Sequence, residues 1–333
     1  MASACFCWSA YLVSAGVGLA VLLILQYCSP AAHDGWLVLL MVDVTATLCT
    51  FGFSVMADNS SIYDPYWMVA PPLLLVAAKS CTSSGVMGPW QARQVLAMTL
   101  VSAWSLRFHC QPGMLWPGFY KGLEHEDWRY VDFRRKASSV VGYWAFSAIN
   151  FHLIPTVIVF FCLAPAIQVV LLQDEQPPLH ALDAVACALG LGSVVIAWIA
   201  DAQLQSFRAS DAYRSGEACR TGLWRLSRHP NYFGEIAFWA SLLPLAAAAD
   251  GFERSPWLPL GWVSMFLMMR FASVPMMDKR SLDRRLNYGS VMENISPLVL
   301  WPDKETCPGL WCGCTQPSRP AAEHQAAIHG ERW

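Results

Sequence analysis

Residues Ser227–Glu235, with the sequence SRHPNYFGE, are followed directly by the apolar stretch IAFWASLLPLAAAA at 236–249. His229 precedes a proline, which disfavours helical dihedral angles at His229, whereas Pro230 suits the first turn of a helix. The apolar residues that follow are typical of a segment inside a bilayer. The stretch therefore predicts that a membrane helix begins here.

The start of this helix suits an anion such as a phosphate. Free backbone N–H groups and the positive end of the helix dipole lie there, next to Arg225, Arg228 and His229. One side of the helix carries four polar residues, which are spaced three, four and seven positions from the first: Arg228, Asn231, Tyr232 and Glu235. The alternative interpretation is an interfacial anchor, in which Glu235 pairs with Arg228.

The composition is that of a membrane protein, because 55% of the 333 residues are hydrophobic and only 14% are charged. Apolar runs recur along the chain, so we expect an all-α, polytopic membrane helix bundle of about seven or eight transmembrane helices, surrounded by membrane lipids. The net charge of -2 argues against a bulk attraction to nucleic acid. We expect one domain at 1–302 and a polar, cysteine-containing tail at 303–333.

Eight runs are candidate spans: Trp8–Tyr27, Gly35–Met56, Tyr66–Ala78, Trp90–Leu106, Val140–Leu172, Leu182–Ala200, Asn231–Ala249 and Trp257–Pro275. The first is expected to be a membrane helix and not a removed signal peptide, because no basic segment precedes it. The third contains Pro71-Pro72 and is expected to be re-entrant or partly unwound. The fifth is too long for one straight span and contains Pro155 and Pro165.

Basic residues concentrate in three segments, Arg107 to Lys136, Asp201 to Arg228 and Lys279 to Arg285. The loops between them, at 173–180 and 250–256, carry few or none. The positive-inside rule then predicts that all three basic segments lie on the cytoplasmic face, and an even number of spans places both termini there. These segments together predict a large basic surface. The alternative is that the basic residues serve only to set the topology and bind no ligand.

Three spans carry polar residues on one face: Asp43, Thr47, Thr50 and Ser54 in the second; Tyr143, Ser147 and Asn150 in the fifth; Asp201, Gln205 and Arg208 at the end of the sixth. Such residues are costly in hydrocarbon and normally face a protein interior or a cavity. We interpret the stripe in the second span as a pocket, and Asp43 and Tyr143 are the candidate catalytic residues. The alternative is hydrogen bonding between helices.

Cysteine usage indicates no disulfide framework. Most of the 12 cysteines lie in apolar segments, where a free cysteine behaves as a small hydrophobic residue. Cys307, Cys312 and Cys314 cluster in the tail, but their spacing does not match a zinc site, and we expect no metal. The sequons at Asn59 and Asn294 are predicted to be unused because both fall on the cytoplasmic side.

Several segments, in order, resemble the steroid 5α-reductase superfamily and more closely its DUF1295 branch. The most specific is TGLWRLSRHPNYFGEIAFW at 221–239. The others are VDVTATLCTFGFSV at 42–55, YDPYWMVAPP at 63–72, SLRFHCQPGMLWPGFYKGLEHEDWRYVDFR at 105–134, IADAQLQSFRA at 199–209 and VPMMDKRSLDRRLNYGSVMENISPLVLWP at 274–302. The resemblance extends from residue 40 to residue 302.

This resemblance implies an NADPH-dependent reductase of an activated C=C bond in a steroid, sterol or other lipid, in the endoplasmic reticulum or another endomembrane. Asp43 stands near the position of an acidic, substrate-orienting residue in the steroid reductases. Those enzymes use Glu there, and the sequence HEDWRY belongs to the uncharacterised branch, so steroid specificity does not follow. The cofactor-binding candidates are Arg107, Arg129, Asp201, Arg208, Arg225, Arg228, His229, Asn231, Tyr232, Glu235, Lys279 and Arg280.

Two other functions stay open at this point. Isoprenylcysteine carboxyl and phospholipid methyltransferases have a similar Arg-His-Pro-x-Tyr-x-Gly signature and use S-adenosylmethionine, and a non-catalytic lipid-binding protein would keep the same fold. NADPH carries several phosphate charges. The basic loop Arg107–Lys136 and the residues Asp201 and Arg208 therefore favour NADPH over S-adenosylmethionine. No Rossmann glycine motif is present, so a nucleotide site would be built from the ends of membrane helices.

Overall fold

The computed structural model describes residues 2–28, 35–81, 88–111, 116–172 and 176–304, and this part of the chain is helical without a β-strand. The α-helices are α1 (Ala2–Cys28), α2 (Gly35–Met56), α3 (Tyr63–Ser80), α4 (Ala92–Cys110), α5 (Gly118–Lys121), α6 (Trp128–Lys136), α7 (Val140–Ser147), α8 (Ile154–Leu171), α9 (Ala181–Arg208), α10 (Asp211–Arg214), α11 (Pro230–Ala248), α12 (Gly251–Arg254), α13 (Pro259–Met268), α14 (Val274–Arg284) and α15 (Tyr288–Asn294).

The all-α membrane architecture is confirmed, and each of the eight predicted spans coincides with a helical segment. Five segments are long and apolar enough to cross a membrane: Ala4–Tyr27, Gly35–Met56, Val140–Leu171, Ala181–Arg208 and Pro259–Arg284. The other three are α3, α4 and α11, which pack among them. The total of seven or eight spans stays a prediction.

The helix α8 is the centre of the bundle. Residues on all its sides are buried, and α2, α3, α4, α11 and α13 pack around it. This position follows from its sequence, because a helix that is apolar all round has no face suited to water. The helix α1 packs on the outer side of α2, and α9 packs against α4 and α11.

Prolines shape two of the long segments. A wider π turn interrupts each of them, at Ala148–Leu153 and at Met269–Ser273, and Pro155 and Pro275 follow these turns as the second residue of the next helix. Proline has no N–H, so the preceding turn loses an α-helical hydrogen bond, and a wider turn accommodates that loss. The fifth run is therefore not one straight α-helix, and this confirms what its length and its prolines predict.

The expected unwinding of the third run is wrong, because α3 is continuous from Tyr63 to Ser80 through Pro71 and Pro72. Pro71 is buried, and α3 packs against α2, α4 and α8. These contacts hold the backbone in helical geometry at a position where a proline in an isolated helix would end it.

An ion pair closes one end of the bundle. Arg93 of α4 donates to both carboxylate oxygens of Asp183 of α9, over 2.6 and 2.8 Å. It also donates to the carbonyls of Pro177 and Pro178. The donors of this buried arginine are directed at α9 and at the loop before it, so its role is to hold α4 and α9 together.

The three basic segments meet at the opposite end, as the positive-inside rule predicts for one face. Arg280 of α14 lies 3.7 Å over the ring of Trp128 in α6. Arg285 donates to the carbonyl of Tyr213 at 3.0 Å. The N-terminal half of α1 reaches the same end, where the Tyr11 hydroxyl donates to a backbone carbonyl in the turn between α2 and α3.

Candidate cofactor and substrate site

The helix α11 begins where the sequence predicts. His229 has dihedral angles outside the helical region, with φ -138° and ψ 64°, and Pro230 is the first helical residue. The Arg228 N–H donates to the carbonyl of Ser296 at 2.8 Å, and the Ser227 hydroxyl donates to the carbonyl of Leu298 at 2.9 Å. The segment after α15 therefore holds the start of α11 in place.

Asp278 of α14 binds the charged residues of the motif. One of its carboxylate oxygens lies 3.0 Å from Nε2 of His229 and accepts a hydrogen bond of 2.6 Å from the Tyr288 hydroxyl. The other oxygen lies 3.0 Å from Arg228. The His229 ring also stacks on Tyr232, with 5.2 Å between the ring centroids. The interactions of Arg228 and His229 are thus directed at α14 and α15.

A second buried cluster joins three helices. Arg107 of α4 lies 3.0 Å from Asp201 of α9 and 3.2 Å from Glu235 of α11, and the Asn231 amide donates to Asp201 at 3.0 Å. Glu235 therefore pairs with Arg107, and the anchor interpretation that pairs it with Arg228 is wrong. The rotation of α11 turns Glu235 into the bundle, whereas Arg228 precedes the helix and faces α14.

Two indole groups complete the coordination of Glu235. Nε1 of Trp104 donates to both carboxylate oxygens, at 2.9 and 3.0 Å, and Nε1 of Trp239 donates at 2.8 Å. A buried carboxylate with these donors and a guanidinium is fixed in one orientation. Nε of Arg107 is buried and has no hydrogen-bond partner among the described residues, so the cluster retains one donor for a ligand.

Exposed and half-exposed cations surround this cluster at the basic end of the bundle. Arg208, at the end of α9, is exposed, and its charge acts on Asp201. The other cations are Arg129 and Arg280, which are half-exposed, and Arg225 and Lys279, which are exposed. A rim of this kind suits a ligand with several phosphate charges, because guanidinium groups bind phosphate through paired hydrogen bonds.

Arg129 belongs to this rim through α6. Its Nε donates to Asp127 at 2.7 Å, and the neighbouring Tyr130 hydroxyl donates to Asp64 at 2.6 Å. Burial lowers the pKa of Arg129, but the neighbouring groups Tyr130, Asp127 and Asp64 outweigh burial and raise that pKa above its usual value. The guanidinium therefore keeps its charge.

Asp43 lies in a narrow cleft between α2, α3 and α8. The carboxylate is buried and accepts a hydrogen bond of 3.3 Å from the Tyr66 hydroxyl. The hydroxyls of Thr47 and Thr156 lie 2.9 Å apart, and that of Tyr63 lies 2.7 Å from Thr156. The space between these residues that a water-sized sphere can reach is small, about 10 Å³. The cleft thus combines a carboxyl group and two phenols with apolar walls.

One aromatic layer separates this cleft from the charged cluster. Trp67 lines the cleft, and its ring centroid lies 5.8 Å from that of Trp104 and 5.4 Å from that of Phe108. Trp104 is the residue that donates to Glu235, and the Arg107 guanidinium lies 4.0 Å over Phe108. The two sites are therefore neighbours.

The remaining part of the polar stripe on α2 has other partners. Thr50 donates to the Ser14 hydroxyl of α1 at 2.9 Å, and Ser54 lies 3.2 Å from Nε2 of His152 in the π turn. The pocket interpretation therefore fits the end of the stripe at Asp43, and hydrogen bonding between helices describes the rest.

Tyr143 is not beside Asp43 in the structure. Its hydroxyl lies 2.7 Å from that of Ser60 and 3.4 Å from the Glu126 carboxylate, and the Arg134 guanidinium lies 4.2 Å over its ring. Tyr66 is the phenol at Asp43.

Sequence reasoning missed Tyr66, Trp67 and Asp278. The spacing of Tyr63, Tyr66 and Trp67 places their side chains on one face of α3, which is a local signal of a shared surface. No comparable local signal indicates that Asp278 binds a histidine 49 positions earlier.

The described residues contain no group of three His, Cys, Asp or Glu side chains that could hold a metal ion. Cys307, Cys312 and Cys314 lie outside the described residues.

The family model described as "Protein of unknown function (DUF1295)" matches residues 50–292. This range includes the start of α11, the Arg107 cluster, Asp278 and the α3 wall of the cleft. No curated protein and no solved structure matches the chain. Because the match covers most of the sequence, the chain belongs to the DUF1295 family.

Proposed function

We propose that this protein is an NADPH-dependent reductase of an activated C=C bond in a steroid, sterol or other lipid. The observation that supports the proposal most is the position of the Asp43 and Tyr66 pair. It lies in a membrane-embedded cleft, one aromatic layer from the Arg107 cluster and the basic rim. Groups that bind a carbonyl oxygen and groups that bind phosphates are thus adjacent.

The cleft residues suit the charge that develops during such a reaction. When an enone is reduced at its β-carbon, negative charge develops on the carbonyl oxygen, and hydrogen-bond donors aimed at that oxygen lower the barrier. The Tyr66 hydroxyl is one donor, and Asp43 in its neutral form is a second. The hydroxyls of Thr47 and Thr156 hold the wall beside Tyr66 in one arrangement.

NADPH, when bound, supplies the hydride. In our proposal, Arg208, Arg225, Lys279 and Arg280 hold its phosphates at the rim, and the Arg107 cluster lies between these phosphates and the cleft. Two observations fit this cofactor: the unpartnered Nε of the buried Arg107, and the exposure of Arg208 next to an otherwise paired cluster.

The size of the cleft constrains the substrate. Ligand sites commonly enclose about 300–1,000 Å³, whereas the accessible space of this cleft is about 10 Å³, close to what one water molecule needs. In our proposal, the substrate carbonyl oxygen occupies this small polar position, and the remainder of the lipid lies outside the cleft, towards the bilayer.

Titration of the purified protein with NADPH and, separately, with S-adenosylmethionine tests this function. We expect NADPH alone to bind. The variant Arg208→Ala should lose roughly tenfold to hundredfold in NADPH affinity, because a lost charge-assisted hydrogen bond costs about 1.5–3 kcal/mol. Arg254→Ala, which changes an exposed arginine at the other end of the bundle, is the control and should bind NADPH normally.

The competing functions give different results in the same titrations. Binding of S-adenosylmethionine without NADPH would assign the site to methyl transfer. A protein that binds neither compound would be a lipid-binding member of the family without this chemistry. Normal NADPH binding by Arg208→Ala would place the nucleotide at another surface.

A further inference from the structure

A hydrogen-bonded joint connects the start of α3 to α6. The Tyr130 hydroxyl of α6 donates to the carboxylate of Asp64, in the first turn of α3, over 2.6 Å. Beside this bond, the Asp127 N–H donates to the hydroxyl of Ser61, in the turn before α3, at 2.8 Å. The Tyr130 side chain is buried, so the joint is closed in this structure.

The joint connects the two parts of the candidate site. The helix α6 also carries Arg129, a cation of the basic rim, and α3 carries Tyr66, the phenol beside Asp43. Asp64 lies two residues before the predicted span Tyr66–Ala78, and therefore at the boundary of the membrane. A change at Asp64 acts on both parts of the site.

The charges around Asp64 do not offset the cost of its burial. Among the described residues, the titratable groups that act on it are Arg129, Asp127, Glu126, Tyr11, Tyr63 and Tyr130. Arg129 is itself paired with Asp127, at 2.7 Å. Burial raises the pKa of Asp64 to about 7, while Arg129 and the Tyr130 hydrogen bond lower it and the two carboxylates raise it further. The Asp64 carboxyl thus gains and loses a proton near neutral pH.

We propose that Asp64 is a proton-controlled latch between α3 and α6, which is closed while the carboxyl carries its proton and opens when the proton is lost. A carboxylate that burial destabilises favours an arrangement in which water reaches it. Separation of Tyr130 from Asp64 gives that arrangement without unfolding α6, because the ring of Phe133 still packs on Phe146 of α7. Only the effect of the latch on cofactor binding rests on the proposed function.

The pH range of the latch follows from the pKa of the carboxyl in its two states. In the closed joint the pKa is about 7, and in an open, hydrated joint it is about 4. The closed state holds the additional proton between these values, so its population falls as the pH rises through 7. The ratio of open to closed joints should therefore increase roughly tenfold from pH 6 to pH 8.

Hydroxyl-radical footprinting of the purified protein at pH 6 and pH 8 tests this proposal. Oxidation of Tyr130, located by proteolysis and mass spectrometry, reports the opening because the closed joint buries this ring. We expect it to rise roughly tenfold at pH 8, relative to Tyr120, which is 57% exposed. Asp64→Asn cannot ionise, so its Tyr130 should be oxidised equally at both pH values.

The matched control is Asp132→Asn. Asp132 is an exposed acid of α6 whose hydrogen bond from Lys136 holds its pKa below the usual value, so it stays ionised from pH 6 to pH 8. This variant should keep the rise in Tyr130 oxidation. Equal oxidation at both pH values in the unmodified protein would overturn the proposal, as would a rise that Asp64→Asn retains, because another group would then be titrating.

A second variant decides if thermal unfolding shows that Asp64→Asn is misfolded. Tyr130→Phe removes a hydrogen bond that lowers the pKa of Asp64, so the rise in oxidation, measured at Trp128 of α6, should move to higher pH. A rise at the same pH as in the unmodified protein would contradict the latch. Failure of NADPH to bind at either pH would contradict the proposed function instead, and it would not change the footprinting result.

Discussion

The carboxylate of Asp43 accepts a hydrogen bond from a hydroxyl, whereas other acids of the site form ion pairs with arginines. Arg107 binds Asp201, and Arg228 binds Asp278. A carboxylate bound by a guanidinium has its oxygens occupied, but a carboxyl beside a phenol keeps the capacity to bond to a ligand. Asp43 is therefore the acid of this site that is best placed to contact a substrate carbonyl.

We predict that Asp43→Asn leaves the fold and NADPH affinity nearly intact but slows reduction. Asp43→Leu should nearly abolish reduction, because the donor at this position is lost, and loss of one such donor typically costs about 10²–10³ in rate. Melting temperature, NADPH affinity and single-turnover NADPH oxidation, measured with a reducible lipid, check both variants.

Thr50→Val is the control for these variants, since Thr50 lies on the same stripe of α2 but bonds to Ser14 of α1. It should lower the melting temperature and leave single-turnover oxidation unchanged. If Asp43→Leu instead loses thermal stability and cofactor binding together, Asp43 has a structural role, and a Leu variant that turns over normally removes Asp43 from the mechanism.

At the scale of elements, the contact between α9 and α11 positions the charged cluster. These helices make the most extensive contact in the bundle, and at Gly234 the atoms of α9 approach α11 closely. A Cβ atom at Gly234 would lie 2.8 Å from Cβ of Ala197 and 2.9 Å from the Ser193 carbonyl oxygen. The glycine of the signature thus allows Asn231 to reach Asp201 across the two helices.

We predict that Gly234→Val separates α9 from α11. Overpacking of this kind costs about 1–3 kcal/mol, and the hydrogen bond between Asn231 and Asp201 should break because it spans the two helices. Both the melting temperature and the NADPH affinity should fall. Gly192→Ala is the matched control, because no atom lies within 4 Å of a Cβ at that position. Unchanged NADPH affinity in Gly234→Val would show that this helix contact does not position the cofactor site.

At the scale of the whole molecule, the polar chemistry is concentrated at one end. The ends of α4 and α9 and the start of α11 supply the charged cluster there, and α6 and α14 supply most of the rim. The other end has the closed pair of Arg93 and Asp183. A single face of the membrane therefore serves the proposed cofactor, and the positive-inside rule predicts that this face is the cytoplasmic one.

We predict that a membrane-impermeant thiol reagent labels Cys5, Cys110 and Glu217→Cys from the side that carries the C-terminus. Arg254→Cys should react from the other side. These residues are exposed at opposite ends of the bundle, so intact and permeabilised vesicles distinguish them. Reaction of Cys110 from the side opposite to the C-terminus would overturn the even number of spans.

The sequon at Asn59 gives a second check of this topology. The side chain of Asn59 is buried and donates to the carbonyl of Leu123 at 2.6 Å and to that of His125 at 3.2 Å. A glycan at Asn59 would break both bonds, so we expect none. Its detection by mass spectrometry would contradict both the topology and the packing of this loop.

The sequence by itself determined the features that depend on neighbouring residues. Composition and apolar runs indicate an all-α membrane bundle, and the His229-Pro230 step begins α11 because proline restricts the backbone on both sides of the bond. Spacing also indicates the polar stripe around Asp43. Each of these signals acts within a few turns of helix, so no knowledge of other helices is needed.

Only the tertiary structure decided which side chains meet. Glu235 pairs with Arg107, 128 positions earlier, and not with Arg228. Tyr66, and not the catalytic candidate Tyr143, lies beside Asp43. The physical reason is that a partner in another helix depends on how each helix is rotated and where it packs, and the local periodicity of one helix contains neither quantity. The same reason explains α3, whose two prolines predict a break by themselves but remain helical because three neighbouring helices pack around them.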